Sequence, residues 1–301
     1  MTGASDGIGA AAARRLHRDG WRVVVVGRSP AKTDAVADEL QAQGHPDDHR
    51  EVERHVADFA RLDDVRALGA ALAERHPRID VLANNAGASF PRRTTTGDGF
   101  ETTFQVDHLG GYLLTRLLEE PLRAARGRVV TTSSFMHRFG PLPRHLTLRS
   151  VQDVRPYLGT LAYGRAKTLN ALFTRELARR WAPDVVATCY SPGTVATSFG
   201  ARSGGISGLA WKLGLPRFSR TPAEGADTLV WLATTDDGWR NGGFHADRSA
   251  GLTMPWATDD RRARDLWQLS ADAVKDHLAP HDSRARRGTL RGGRNGMPDE
   301  G

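Results

Sequence analysis

Short, continuously apolar runs rich in β-branched residues alternate along this chain with longer stretches whose apolar positions recur at helical spacing. The runs at 22–26, 51–57, 81–83, 128–132 and 185–190 predict strands. Most of them leave no polar face for water, which fits strands covered on both sides. The stretches 8–18, 31–43, 62–76, 100–118 and 157–180 predict amphipathic helices. Gly20 and Gly44 stand where the first two helices should stop, and Ser29-Pro30 where the second should start. Glycine ends a helix without a Cβ penalty, serine can accept from free helix N–H groups, and proline suits the first helical position. Thr221-Pro222-Ala223-Glu224 carries a capping box ahead of a further helix. Strand and helix in this order build βαβ units, so the predicted fold class is α/β, doubly wound around a parallel sheet.

Composition changes this picture little. Of 301 residues, 39% are hydrophobic and 26% charged, enough apolar material for a core. One domain is expected over 1–280 and a disordered Gly/Arg-rich tail over 281–301. No window is apolar enough to span a membrane and no leader pattern opens the chain, so a cytoplasmic location is expected. The lone cysteine, Cys189, lies in a predicted strand and reads as a buried, inert thiol. The net charge of +7 would suit nucleic acid, but much of it sits in the tail at Arg284, Arg286, Arg287, Arg291 and Arg294. Elsewhere arginines interleave with acidic residues, as solvated helix faces do. No nucleic-acid partner is therefore expected. The histidines show no metal-ligand spacing, and no metal is expected.

Thr2-Gly3-Ala4-Ser5-Asp6-Gly7-Ile8-Gly9 is a glycine-rich turn that runs into a helix. Such a turn lets backbone approach a pyrophosphate and points free N–H groups at it, although a ligand-free helix entry has the same pattern. A turn of this kind ordinarily follows the central strand of the sheet, and only Met1 precedes it here. That predicts a start several residues upstream of Met1. Arg28, after the second strand run, offers a charged fork to a ribose 2′-phosphate where an acidic residue would accept from a 2′-hydroxyl. NADP(H) is thus expected over NAD(H).

Tyr163 and Lys167, four apart in a helical pattern, share one face. A nearby ammonium favours a phenolate, which suits acid/base chemistry on a substrate oxygen. Ser133-Ser134 and Asn84-Asn85-Ala86-Gly87 end neighbouring strands at the edge where α/β proteins bind ligands. In combination, the glycine turn, Asn-Asn-Ala-Gly, the serine, Tyr-x-x-x-Lys and Ser191-Pro192-Gly193-Thr194-Val195-Ala196-Thr197 resemble the short-chain dehydrogenase/reductase family. The resemblance runs from Thr2 to about Leu278. Gly27-Arg28-Ser29, Val106-Asp107-His108-Leu109-Gly110, the Leu266-Trp267 helix and the wide gap between Ser134 and Tyr163 resemble its retinol-dehydrogenase-like branch.

This resemblance implies a Rossmann fold and an oxidoreductase acting on CH–OH/C=O groups. It implies that Tyr163 exchanges the proton on the substrate oxygen, Ser134 orients that oxygen, and Lys167 holds the nicotinamide ribose and lowers the Tyr163 pKa. Gly3, Ser5, Asp6, Gly7, Ile8 and Gly9 would cradle the pyrophosphate, Arg28 the 2′-phosphate and Asp58 the adenine. Asn84, Ala86 and Gly87 would line the riboses, and Pro192, Gly193, Val195 and Thr197 the carboxamide and pyrophosphate. Two positions depart from the pattern. Asp107 stands at the fourth catalytic position, where Asn is usual, and Gly111 replaces a His. The segment 198–220, rich in Gly and apolar residues, reads as a substrate flap and favours an apolar aldehyde, ketone or alcohol. A nucleotide-binding regulator without turnover is the alternative reading, and oligomeric state stays open between a monomer and a homo-oligomer.

Overall fold

The computed structural model describes residues 1–44, 52–195 and 219–279. The predicted flap, Thr197 and the basic tail lie wholly or largely outside the described residues. Five strands form one sheet in the order β3 (Val81–Asn84), β4 (Arg128–Thr132), β5 (Val186–Tyr190), β6 (Phe244–Ala246), β7 (Ser249–Ala250). The first four are parallel and β7 closes the edge antiparallel. A separate parallel pair joins β1 (Val25–Gly27) to β2 (Arg54–Val56).

Met1 and Thr2 stand between β1 and β3. Thr2 makes an isolated parallel bridge to Val26 and donates its N–H to the Ala83 carbonyl at 3.0 Å, and Val26 donates to the Met1 carbonyl at 3.1 Å. The chain order around this seam is that of a doubly wound fold, with two residues in the central place. The first two helical patterns fold as α1 (Gly7–Arg18) and α2 (Pro30–Gln43). Ser29 holds the N-cap position of α2, but its hydroxyl makes no capping bond.

Strands β1, β3, β4 and β5 are covered on both faces, as their apolar runs require, whereas the outer strand β2 is only half-buried and leaves Val56 exposed. On one face α1, α2 and α9 (Pro222–Thr234) bury a cluster of small and branched residues that includes Ala12, Ala13, Leu40 and Leu229. The alanines let α1 lie close to its neighbours. On the other face α3 (Leu62–Arg75), α5 (Gly110–Leu117), α8 (Gly159–Trp181) and α10 (Asp260–Ala273) surround Tyr112, Phe173 and Trp267. The Tyr112 ring meets Trp267 edge-on at 5.2 Å. Short helices α4 (Thr102–Phe104), α6 (Glu119–Ala125), α7 (Leu148–Gln152) and α11 (Lys275–Leu278) complete the fold. The predicted capping box at Thr221 and Glu224 forms at the start of α9.

The predicted helix over 100–118 is interrupted. Between α4 and α5 the backbone widens into a π-helical turn, Gln105–Leu109. Such turns are rare and recur at functional sites. Asp107 and His108 are both buried in this turn, Asp107 against Lys167 and His108 against Asn170 and Ser270. Apolar spacing continues through the segment, so periodicity does not reveal the break. Strands β6 and β7 were likewise beyond it, being too short to show alternation.

His108 is sealed in this turn. Its Nδ1 donates to Asn170 Oδ1 at 3.3 Å and its Nε2 accepts from the Ser270 hydroxyl at 3.0 Å. Burial lowers its pKa to about 4 from 6.5. The unfolded chain therefore binds a proton near pH 6.5 that the folded chain refuses until about pH 4, so stability must fall as pH falls through that window. The loss expected from His108 by pH 4 is about 3 kcal/mol, at about 1.4 kcal/mol per unit. Burial moves His137 and His245 in the same direction. Urea unfolding between pH 7 and pH 4 should show this decline, with a shallower decline in His108→Gln.

Candidate active site

The carboxyl ends of β3, β4 and β5 open onto a cleft with the glycine turn at one end and the start of α8 at the other. Gly3 takes a left-handed conformation with φ +64°, and Ala4 donates to the Val26 carbonyl at 2.9 Å. The turn folds back on the first turn of α1 so tightly that a β-carbon on Gly9 would lie 2.1 Å from the Gly3 carbonyl oxygen. Asp6 caps α1 by accepting from the Gly7 N–H at 2.8 Å, and its other oxygen meets Lys32 Nζ at 2.5 Å. Lys32, on the first turn of α2, thus joins the glycine turn to the loop that carries Arg28. Sequence reasoning missed it, because the contact links residues on separate elements.

Two further residues tie the turn to the sheet and were not singled out. The Thr2 hydroxyl accepts from the N–H groups of Asn85 and Ala86, both at 3.0 Å. Asn85 donates to the Thr2 carbonyl at 3.1 Å and accepts from the Thr132 hydroxyl at 3.2 Å. The Asn84 side chain instead turns under the sheet edge, donating to the Thr115 hydroxyl at 2.8 Å. Of the paired asparagines, the second braces the cleft and the first anchors α5. Adjacent strand residues point to opposite faces, which decides the division.

At the other end Tyr163, Lys167 and Ser134 converge. Lys167 Nζ lies 5.0 Å from the centre of the Tyr163 ring, as the four-residue spacing requires. Ser134 hydrogen-bonds to Tyr163 and accepts from the Met136 N–H at 3.2 Å as the cap of a short 3-10 turn, Phe135–Phe139. Its neighbour Ser133 points away and donates to the Lys167 carbonyl at 2.8 Å, pinning α8 to β4. Asp107 reaches in from the π turn: its Oδ2 lies 3.1 Å from Lys167 Nζ, with side-chain exposures of 0% and 3%. Gly87 covers this pair, and a β-carbon there would come within 3.1 Å of Nζ and 3.2 Å of Asp107 Oδ1.

The charges are set by these contacts. Burial pulls the Lys167 ammonium down, but Asp107 and Tyr163 together hold it above its ordinary pKa. Burial pushes the Asp107 carboxyl up, and Lys167 with the Ala88 N–H pulls it back. Tyr163 is raised: burial comes first, Lys167 lowers it, and Asp107 raises it again. Lys167 thus acts on Tyr163 in the direction expected, and two opposing influences stand beside it. The ammonium does act downward, but desolvation and the carboxylate prevail.

The remaining predicted residues fall around the cleft. Arg28 is exposed in the loop after β1 and has no ionic partner among the described residues. Asp58, at the end of the second strand region, accepts from the Ala60 N–H at 3.0 Å through one oxygen. Gly193, with φ +77°, and Val195 belong to a loop after Pro192. That loop bridges to Arg220 and packs against the start of α9 and Ile8, so it sits beside the glycine turn.

A dinucleotide fits this donor set. At Gly3, Gly9 and Gly87 a β-carbon would meet protein atoms at 3.0, 2.1 and 3.1 Å, so glycine lets the turn fold tightly against the strand ends, and Lys32 stands beside that turn. The cofactor's pyrophosphate would lie along the glycine turn, and Lys167 would face its nicotinamide ribose. Among the described residues no group of three or more His, Cys, Asp or Glu could hold a metal, and no helix is long and apolar enough to cross a membrane. Cys189 is buried, with its pKa raised to about 12 by burial.

Comparison with known proteins bears on the same residues. The short chain dehydrogenase family profile matches residues 1–142. A Streptomyces sp. (strain C5) protein described as a daunorubicin C-13 ketoreductase, DnrU, is 44% identical over 280 residues, 92% of each chain. Mouse retinol dehydrogenase 14 is 37% identical over 283 residues, covering 90% of this chain and 83% of that one. Among solved structures, an uncharacterised protein from Mycobacterium paratuberculosis superposes with a TM-score of 0.68 at 28% identity over 91% of both chains. A protein described as an NAD(P)-dependent gluconate 5-dehydrogenase from Beutenbergia cavernae, with bound NADP at low occupancy, superposes with a TM-score of 0.58. It is 27% identical, covering 77% of this chain and 86% of that one.

Proposed function

The chain belongs to the short-chain dehydrogenase/reductase family and is an oxidoreductase of CH–OH and C=O groups, and on that premise we propose that it uses NADP(H) on an apolar carbonyl or alcohol with Tyr163 as general acid and base. The observation that carries this reading is the convergence of Tyr163, Ser134 and Lys167 at one end of a glycine-lined cleft. The bound nucleotide supplies or takes up the hydride.

In reduction, Tyr163 Oη gives its proton to the substrate oxygen, and the Ser134 hydroxyl holds that oxygen in place. In oxidation both steps run backwards. Lys167 engages the nicotinamide ribose and keeps a positive charge near the phenol. The glycine turn binds the pyrophosphate, Asp58 the adenine, and Arg28 with Lys32 the 2′-phosphate. The apolar substrate class is supported by the composition of 198–220 and by relatives named for daunorubicin C-13 ketone reduction and for retinol.

Fluorescence titration with NADPH and NADH at matched salt tests the cofactor reading. NADPH should bind more tightly, and Arg28→Ala should weaken NADPH about tenfold or more while leaving NADH within about twofold, since a charge-assisted hydrogen bond is worth about 1.5–3 kcal/mol. Equal affinities in the parent protein would overturn the preference. A panel of apolar ketones and aldehydes then separates an enzyme from a protein that only binds nucleotide.

A further inference from the structure

Accepting Tyr163 as the acid and base, we propose that the Asp107 carboxylate is the fixed counter-ion of Lys167. By cancelling the ammonium's field at Tyr163, it keeps the phenol protonated and biases the site toward carbonyl reduction.

Three contacts hold Asp107 in that role. Oδ2 faces Lys167 Nζ at 3.1 Å inside the protein. Oδ1 accepts from the Ala88 N–H at 2.7 Å, and the Asp107 carbonyl accepts from Asn170 Nδ2 at 3.0 Å. Asn170 also donates to the Thr132 carbonyl at 3.0 Å. The carboxylate is therefore pinned at its backbone, at one oxygen by a loop and at the other by the ammonium. It is not a mobile surface charge that solvent could screen.

An ammonium near a buried phenol ordinarily lowers the phenol's pKa by about 1–3 units. Beside Tyr163 that ammonium comes with an equal negative charge, and the pair presents only a dipole. The other titratable groups packed around the site do not restore a net positive charge. On the π turn His108 is neutral at physiological pH, as is His137 on the turn after β4, where burial lowers its pKa. Tyr190 on β5 stays protonated because burial raises it. Glu101, at the start of α4, is buried with its oxygens bonded to the Thr103 and Phe104 N–H groups and to the Tyr157 hydroxyl, and it adds to the negative side.

The consequence is a direction. A protonated phenol donates to a carbonyl oxygen, so reduction keeps its acid over a wide pH range. Oxidation, which needs the phenolate as base, is confined to high pH. Asparagine in place of Asp107 keeps the acceptor for Ala88 and the shape of the side chain while removing the charge.

Tyrosinate absorbance is titrated on the cofactor-free full chain for the parent, Asp107→Asn, Tyr163→Phe and the double variant. The chain has four tyrosines, and burial raises the other three, Tyr157 to about 12. The new step is therefore assignable. Asp107→Asn should gain a tyrosinate step at least about one pH unit below the Tyr163 step of the parent, and the double variant should lack it. The reduction rate of Asp107→Asn should fall off at correspondingly lower pH. Asp107→Ser, which also keeps a hydroxyl acceptor, should shift the same way and serves if the asparagine variant does not fold. Superimposable titrations of parent and Asp107 variants, or an upward shift, would overturn the proposal. A Tyr163→Phe protein that turns over like the parent would instead sink the acid/base reading, and the titration would still decide the electrostatic claim.

Discussion

Replacing Tyr163 with phenylalanine should lower carbonyl reduction by about 10³-fold while leaving NADPH affinity within about twofold. The size follows from the loss of a positioned general acid, which ordinarily contributes about 10²–10⁴-fold. The selectivity follows from the geometry. The Tyr163 ring packs 5.0 Å from Lys167 Nζ, and phenylalanine preserves that ring, so Lys167 keeps its place beside it, where it would face the ribose. Ser134 keeps its bond from the Met136 N–H, so the turn after β4 does not depend on the phenol either. Steady-state rates with an apolar ketone, read beside a fluorescence titration with NADPH, give both numbers. A comparable loss of affinity would mean that Tyr163 shapes the pocket more than it moves a proton.

The second large effect concerns two glycines that look alike on paper, since both lie inside helices. Gly9→Ala should destabilise the protein by about 2–3 kcal/mol, the upper range for overpacking, and weaken NADPH binding by more than tenfold. The new carbon would lie 2.1 Å from the Gly3 carbonyl oxygen and 2.6 Å from Asn85 Nδ2. The first is backbone, and Gly3 is already held at φ +64° with its neighbour Ala4 bonded to β1, so relief requires moving the phosphate turn. Gly111→Ala should be neutral or stabilising by up to about 1 kcal/mol, the helix preference of alanine over glycine. Its carbon would meet Asn84 at 3.6 Å, an ordinary contact. Thermal unfolding of both variants, followed by NADPH titration, checks the contrast. Equal loss in the two would mean that helix propensity, not the approach of the turn, controls the site.

The fold was largely legible in the apolar pattern. Five strand positions and the main helices follow from it, because the inner strands, covered on both faces, are continuously apolar, and helices on a sheet must be amphipathic. The misses share a cause. Strands β6 and β7 are too short for a period to show, and the π turn at Gln105–Leu109 preserves the apolar spacing while altering the backbone.

The chemistry divides in the same way. Tyr163 and Lys167 could be paired from sequence because a helix brings residues four apart onto one face. The glycine turn could be read because only glycine admits that approach of backbone to backbone. Which asparagine braces the cleft, that Lys32 meets Asp6, and that a carboxylate from the π turn neutralises the lysine beside the phenol were decided by tertiary structure alone. Local spacing sets which groups share a helix or strand. Burial and charge at a point are summed over every element packed around it, and at Tyr163 that sum runs opposite to the effect of its nearest helical neighbour.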